Sequence, residues 1–324
     1  MLAAIDHGPA RLAAILLCLA AVPAVTARAN SNEPIEPLPR SVAVDAAKAM
    51  LGKQLFHDSR LSRNDTISCA SCHDVSNWGV DSSSSSTGFS GQVGSRNAPT
   101  VFNAVFNFRQ FWDGRAATLS AQAAGPVVDP IEMGMESWDA VVEKLRAVPE
   151  YRTAFEQVYG DDITAEAIRD AIAEYEKTLI TADSPFDRYL RGDEKAITPQ
   201  QLRGYRLFKG YGCVSCHQGR NVGGNMFQKF GVLKDINLRK AAQVDFGRFN
   251  VTGNEWDKHV FKVPSLRLAT KTAPYFHDGS VATLEEAVRI MVEFQLGRPV
   301  PARDQQDIIA FLESLVGTYT DNLR

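Results

Sequence analysis

The pentapeptide Cys-x-x-Cys-His occurs twice in the chain, as Cys69-Ala70-Ser71-Cys72-His73 and as Cys213-Val214-Ser215-Cys216-His217. No other feature constrains the fold as tightly. Each pattern is an attachment site for a c-type haem: two thiolates add to the haem vinyl groups, and the adjacent His is delivered to the iron as its proximal ligand. A zinc or redox Cys-x-x-Cys site would leave the His after each pair unexplained. The chain must therefore wrap two flat cofactors.

The local patterning is helical. Val44, Ala47, Leu51 and Leu55 fall on one stripe ahead of the first motif, and Thr198-Pro199 supplies an N-cap and a first-turn proline ahead of the second. Both helices carry Gly-x-x-Leu-Phe, as Gly52 to Phe56 and Gly204 to Phe208, which reads as a duplication. Between the motifs, Ser137 to Val148 and Thr164 to Ile180 show helical spacing, and Thr283-Leu284-Glu285-Glu286 opens a further helix as a capping box. No segment sustains a period of two. The expected fold is mainly α, with two cytochrome c-like domains over residues 30–190 and 191–324, each wrapped around a covalently attached haem. The last segment of the second domain can pack back on the first. The five serines Ser82 to Ser86 read as a flexible, solvated loop.

Residues 1–29 read as a cleaved signal peptide. An apolar run from Leu12 to Val25 follows Arg11 and ends at Ala27-Arg28-Ala29, and it is short for a bilayer span. Cleavage leaves four of the five cysteines, all committed to haem, so no disulfide is expected. Covalent haem attachment and export agree on the periplasm. A formal net charge of −3 without a basic stripe argues against nucleic acid, and no later segment is apolar enough to cross a membrane.

The sixth position on each iron decides the chemistry. With His73 and His217 assigned, His57, His259 and His277 remain after the leader; His57 and His277, each preceding Asp, read as structural or outer groups. Met291 is the candidate axial ligand for the second haem, with core packing on a stripe with Leu284 and Val288 as the alternative. A thioether ligand would raise that haem's potential. No His or Met is left for the first haem. Gln122 and Glu132 follow it in sequence and could bind a peroxide and move its proton, although both could also be ordinary surface residues.

The stretches Arg96-Asn97-Ala98-Pro99-Thr100-Val101-Phe102-Asn103, Phe111-Trp112-Asp113-Gly114-Arg115, Pro130-Ile131-Glu132-Met133, Val263-Pro264-Ser265-Leu266-Arg267 and Pro274-Tyr275-Phe276-His277-Asp278-Gly279 resemble the bacterial di-haem cytochrome c peroxidases. The resemblance runs from about Pro34 to the C-terminus. It implies a peroxidatic haem on His73 with Gln122 and Glu132 beside it. It also implies an electron-transfer haem on His217 and Met291, with Trp112 as a relay between the two. One calcium ion is implied at the Asn97 side chain and the Thr272 and Pro274 carbonyls. Hydrogen peroxide is the implied substrate, a small periplasmic cytochrome c or cupredoxin the donor, and a homodimer a possible state. Many members carry a distal His that closes the peroxidatic iron, and Phe89 stands at that position here. The expectation is an open or water-ligated first iron in the diferric protein. The alternatives are the oxidative protein-maturing branch of the superfamily, which has Tyr where Met291 stands, and a di-haem electron carrier without peroxidase activity.

Overall fold

The computed structural model describes residues 33–235 and 244–323; the proposed signal segment lies outside them. Helices account for most of the regular structure: α1 Ala46–Phe56, α2 Cys69–Cys72, α3 Leu119–Val128, α4 Trp138–Arg146, α5 Pro149–Tyr159, α6 Ala165–Thr178, α7 Pro185–Leu190, α8 Pro199–Tyr211, α9 Phe249–Thr252, α10 Leu284–Ile290 and α11 Ala302–Glu313. A single antiparallel pair, β1 Phe227–Lys229 and β2 Val260–Lys262, joins them among the described residues, with Phe227 opposite Lys262.

Local chemistry sets the helix ends. Thr198 caps α8 and Gln201 returns the bond to the Thr198 backbone, so Pro199 enters at a position with no hydrogen bond to lose. Thr164 and Ser137 cap α6 and α4 by accepting from Ala167 and Ala140, and Thr283 accepts from the Glu286 N–H at the start of α10. The helix expected to run to Val148 stops at Arg146, because Pro149 opens α5 with Val148 at its N-cap. In α1, Leu51 and Leu55 are buried as expected, while Ala47 is exposed and Ala49 and Gly52 face inward.

The two Gly-x-x-Leu-Phe glycines have one job each. A Cβ on Gly52 would sit 1.8 Å from the Ala171 carbonyl oxygen of α6, and one on Gly204 would sit 1.8 Å from that of Asp307 in α11. Each glycine therefore lets two helices touch backbone to backbone. The pairs α1/α6 and α8/α11 are equivalent crossings, and each precedes a Cys-x-x-Cys-His turn or closes over it.

Two main apolar clusters result. One gathers Leu51, Leu55, Phe155, Ile168, Ile172 and Tyr175; the other gathers Tyr205, Phe208, Val288, Ile308 and Phe311. The chain crosses between them. Ile35, Phe186 and Leu190 belong to the second cluster, whereas Val316, Tyr319 and Leu323 pack back on the first. A fully buried ion pair locks this crossing: Arg267 reaches Asp187 at 2.9 Å and also donates to the Glu36 carbonyl, while the Leu38 N–H donates to Asp187.

The serine run departs from expectation. Ser82, Ser83 and Ser84 are exposed, but the Ser83 carbonyl accepts from the Asn97 side chain at 2.8 Å and the Ser86 carbonyl accepts from the Gly94 N–H at 3.1 Å. Ser84 also packs against Gly279 closely enough to leave no room for a Cβ there. The run is held as a strap rather than solvated along its length.

Candidate functional site: two histidine turns and the wall between them

Each Cys-x-x-Cys-His segment folds as one tight turn. The His73 N–H donates to the Cys69 carbonyl and the His217 N–H to the Cys213 carbonyl, both at 2.9 Å, so each imidazole leaves the turn next to its two thiols. All four cysteines are free and half-buried. Burial pushes the Cys69 thiol up to about 12, with Glu176 adding to it, and the Cys213 thiol up to about 11.

The rings are oriented in the same way twice. His73 Nδ1 lies 3.3 Å from the Gly79 carbonyl oxygen, and His217 Nδ1 lies 3.3 Å from that of Val222. The Pro99 and Pro264 backbones add a second contact to each ring. Burial lowers both imidazoles below the usual histidine range, His217 to about 4, which favours the neutral form of each ring. A neutral ring that gives its Nδ1 proton to a carbonyl presents Nε2 as a lone pair, which is the form an iron ligand needs. Gly223 makes the second arrangement possible: at φ +131° a Cβ there would meet the Pro264 carbonyl oxygen at 2.2 Å. Two thiols and one free imidazole nitrogen on each turn fit a covalently attached haem.

Close to the first turn, where the Glu132 charge raises the Cys69 and Cys72 thiols, lies a tightly joined loop pair. The Phe89 N–H donates to the Glu132 carbonyl at 2.7 Å, and Gly88 lies so close to the Ile131 and Glu132 carbonyls that no other residue fits. The Phe89 ring covers Gly134, whose φ of +71° and close contact with the ring suit only glycine, and the Arg63 guanidinium lies 5.8 Å from the ring centre. Glu132 keeps accessible surface, yet protein crowds its carboxyl. Burial raises its pKa, Asp129 raises it further, and Arg115 opposes them. A carboxyl raised in this way can both accept and return a proton. Gln122 is half-buried on α3, which the Thr118 hydroxyl caps, and the chain then folds back so that the Met133 N–H reaches the Pro126 carbonyl.

Trp112 is fixed at both ends. Its indole N–H donates to the Asn97 carbonyl at 2.9 Å, and its own carbonyl accepts from the Lys262 N–H at 2.8 Å. It packs in a third apolar cluster with Met291, Phe230, Phe261 and Phe276. Met291 therefore leaves the stripe shared by Leu284 and Val288, both of which pack in the second main cluster. A π-helical turn follows over Met291–Gln295. Gln295 stitches that turn to β1, accepting from Gly231 and Val232 and donating to the Lys229 carbonyl. His277 stacks on Phe261 with ring centres 4.2 Å apart, and the His57 Nδ1 lies 2.9 Å from the Lys53 carbonyl oxygen.

Around Asn97 the backbone closes a ring. Its N–H donates to the His277 carbonyl and its side-chain NH2 donates to Ser83, which leaves the amide oxygen free to act as a ligand. Thr272 and Pro274 follow on a short turn with a cis bond before Pro274. Among the described residues no group of three or more His, Cys, Asp or Glu is arranged to hold a metal ion.

Two buried ionisable groups went unnoticed in the sequence. Glu176 on α6 is buried, has one carboxyl oxygen without a partner, and is pushed up to about 8 by burial. Lys262 on β2 is buried beside Trp112. Helical and strand spacing mark both as inward positions, but a charged side chain at such a position carries no signal of its partner.

Two duplicated histidine turns in a mostly helical frame define a di-haem c-type protein. The profile of the di-haem cytochrome c peroxidases matches residues 46–195. Over 295 residues the chain is 52% identical to the cytochrome c peroxidase Ccp of Escherichia coli, covering 91% of this chain and 63% of that protein's length. It is 48% identical to the cytochrome c551 peroxidase of Nitrosomonas europaea, covering 90% of this chain and 86% of the other. Among solved structures, a MauG-like protein associated with microbial copper homeostasis superposes with a TM-score of 0.75 at 29% identity, covering 91% of this chain and 98% of that one. The chain belongs to the di-haem cytochrome c peroxidase family.

Proposed function

We propose that this chain is a periplasmic peroxidase that reduces hydrogen peroxide to two waters, taking two electrons from a small cytochrome c or copper protein and two protons from solvent. The observation that carries it is the pairing of a carbonyl-oriented imidazole on each turn with Glu132, a carboxyl whose pKa burial raises, on the loop beside Phe89. The relatives at 52% and 48% identity are named as cytochrome c peroxidases, which supports the same activity here.

Cys69, Cys72 and His73 would hold the peroxidatic haem, and Cys213, Cys216, His217 and Met291 the electron-transfer haem. When bound, the two haems supply the redox centres: one where the O–O bond is cleaved and one where an electron is stored. Residues 30–190 would form the first domain and residues 191–324 the second, with Val316, Tyr319 and Leu323 packing back on the first and Ile35 packing on the second.

Glu132 takes the proton from the inner peroxide oxygen and delivers it to the outer one, so that the leaving oxygen departs as water. Gln122 donates a hydrogen bond that positions the peroxide. Trp112, clamped between Asn97 and β2 and packed with Met291, offers a rigid aromatic bridge for the stored electron. Calcium at the Asn97 amide oxygen and the Thr272 and Pro274 carbonyls would stiffen the same clamp, using the hard, neutral oxygens that this ion accepts. The apolar-to-raised-carboxyl contrast between the two sites is what separates a peroxidase from a plain carrier.

The test is steady-state oxidation of a reduced small cytochrome c by hydrogen peroxide. Turnover by the wild type, and loss of about 10²–10⁴-fold in Glu132→Gln with both haem spectra intact, is the expected result. Turnover retained in Glu132→Gln would remove Glu132 from proton transfer, and no turnover in the wild type would leave an electron carrier.

A further inference from the structure

Lys262 is 7% exposed as a residue, its ammonium group makes no ion pair among the described residues, and its Nζ is not among the buried side-chain atoms left without a hydrogen-bond partner, so the group is crowded rather than sealed off. Burial alone pushes it down to about 8, with no carboxylate to oppose the shift. The neighbouring cations are different. Arg96 is bound by Asp113 and Asp245, and Arg248 donates to the Asp113 carbonyl while lying over the Phe227 ring. An ammonium crowded by protein with no carboxylate beside it is costly to keep charged, so such a group is retained where something compensates it.

Its place in the fold indicates what that is. Lys262 ends β2, pairs with Phe227, and donates its N–H to the Trp112 carbonyl. Two residues on, the Pro264 backbone lies against the His217 ring. On the partner strand, Gln228 reaches to 3.8 Å from Cys216 Sγ. The strand pair is thus part of the wall around the second histidine turn, on the side that meets Trp112. A haem brings two propionate carboxylates into such a wall.

We propose that Lys262 is the counter-ion of a propionate on the haem carried by Cys213, Cys216 and His217. The pairing satisfies the ammonium, neutralises one carboxylate, and holds positive charge close to that haem. Positive charge favours the reduced state, so Lys262 also helps to keep this centre ready to accept an electron. Because its backbone N–H holds the Trp112 carbonyl, the same residue fixes the haem edge relative to Trp112. Lys262 is a positioning residue and takes no part in bond cleavage.

This inference rests on the reading of Cys213 to His217 as a haem site, and the two fail differently. Wild-type holoprotein without a second haem spectrum would overturn the haem reading. The test of Lys262 itself is a spectroelectrochemical titration of wild type, Lys262→Gln and Lys262→Arg. In Lys262→Gln the reduction equilibrium constant of the His217 haem should fall about tenfold, which is 59 mV for a one-electron couple. That is the scale of one charge about a nanometre away at an effective dielectric constant of about 20. Lys262→Arg should stay near wild type, which a purely structural role does not predict. An unmoved potential in Lys262→Gln with both haems bound, or a larger shift at the His73 haem, overturns the proposal. If Lys262→Gln takes up no haem, a crystal structure of the wild-type holoprotein decides. Nζ about 2.7–2.9 Å from a propionate oxygen supports the pairing, and Nζ bound to a protein acceptor or to water overturns it.

Discussion

The backbone N–H of Phe89 donates to the backbone carbonyl of Glu132 at 2.7 Å, so the residue at the position where the family resemblance implies a distal ligand is tied to the backbone of the residue whose carboxyl is proposed to move the proton. The tie is reinforced from both sides: Gly88 lies against the Ile131 and Glu132 carbonyls, and Gly134 lies under the Phe89 ring. A benzene ring has no lone pair to offer an iron. Fixing that ring on Gly134 therefore brings no iron ligand to this loop, and the loop that carries Phe89 also positions the Glu132 backbone.

Asp129 and Arg115 should set the acid side of the pH profile. A base must be ionised, so kcat/KM rises with pH through the pKa of Glu132, which burial and Asp129 raise and Arg115 lowers. Asp129→Asn keeps an oxygen for the Ile131 N–H and removes the charge, and should move the acid limb to lower pH. Arg115→Gln should move it to higher pH. Coincident limbs in all three proteins would show that another group titrates.

The duplicated glycines make a paired stability prediction. Gly52→Ala and Gly204→Ala each force a methyl onto a backbone carbonyl oxygen at 1.8 Å and should each cost about 3 kcal/mol or more, read by denaturant unfolding of the holoprotein. Gly210→Ala is the control. It lies in α8 with nothing within 4 Å of the new carbon and should be neutral, or stabilising by about 0.5–1 kcal/mol.

Arg267→Met should cost about 3–5 kcal/mol, because Asp187 is left buried and unpaired at the crossing of the two clusters. Arg220→Met breaks an exposed pair with Glu36, where both side chains are more than half open to solvent, and should cost less than about 1 kcal/mol. Equal losses for the two would contradict the role given to the buried pair.

How much of this could be read in the sequence varies with the physical origin of each feature. Haem attachment is covalent and local, so the two Cys-x-x-Cys-His motifs are explicit. Helix caps are nearly as local, and Thr198, Thr164 and Thr283 act as their neighbours suggest. The Gly-x-x-Leu-Phe repeat revealed a duplication but not its cause, since the carbonyl that each glycine admits lies more than 100 residues away in sequence. The Gly79 and Val222 carbonyls that orient the histidines were invisible, because any residue supplies a carbonyl. The serine run misled for a related reason: its exposed side chains are solvated as composition suggests, while its backbone is held by Asn97 and Gly94. Met291 was singled out by type and by its stripe with Leu284 and Val288, but it packs in the cluster of Trp112 and Phe230 rather than in theirs, which spacing does not encode.

The most direct measurement is the electronic absorption and EPR spectrum of the diferric protein, before and after one equivalent of peroxide without reductant. With Phe89 held on Gly134, a high-spin ferric signal that responds at once to peroxide is expected, alongside one low-spin haem. Two low-spin signals that ignore peroxide would mean that a sixth ligand closes the first iron, and would contradict an open site ready without priming.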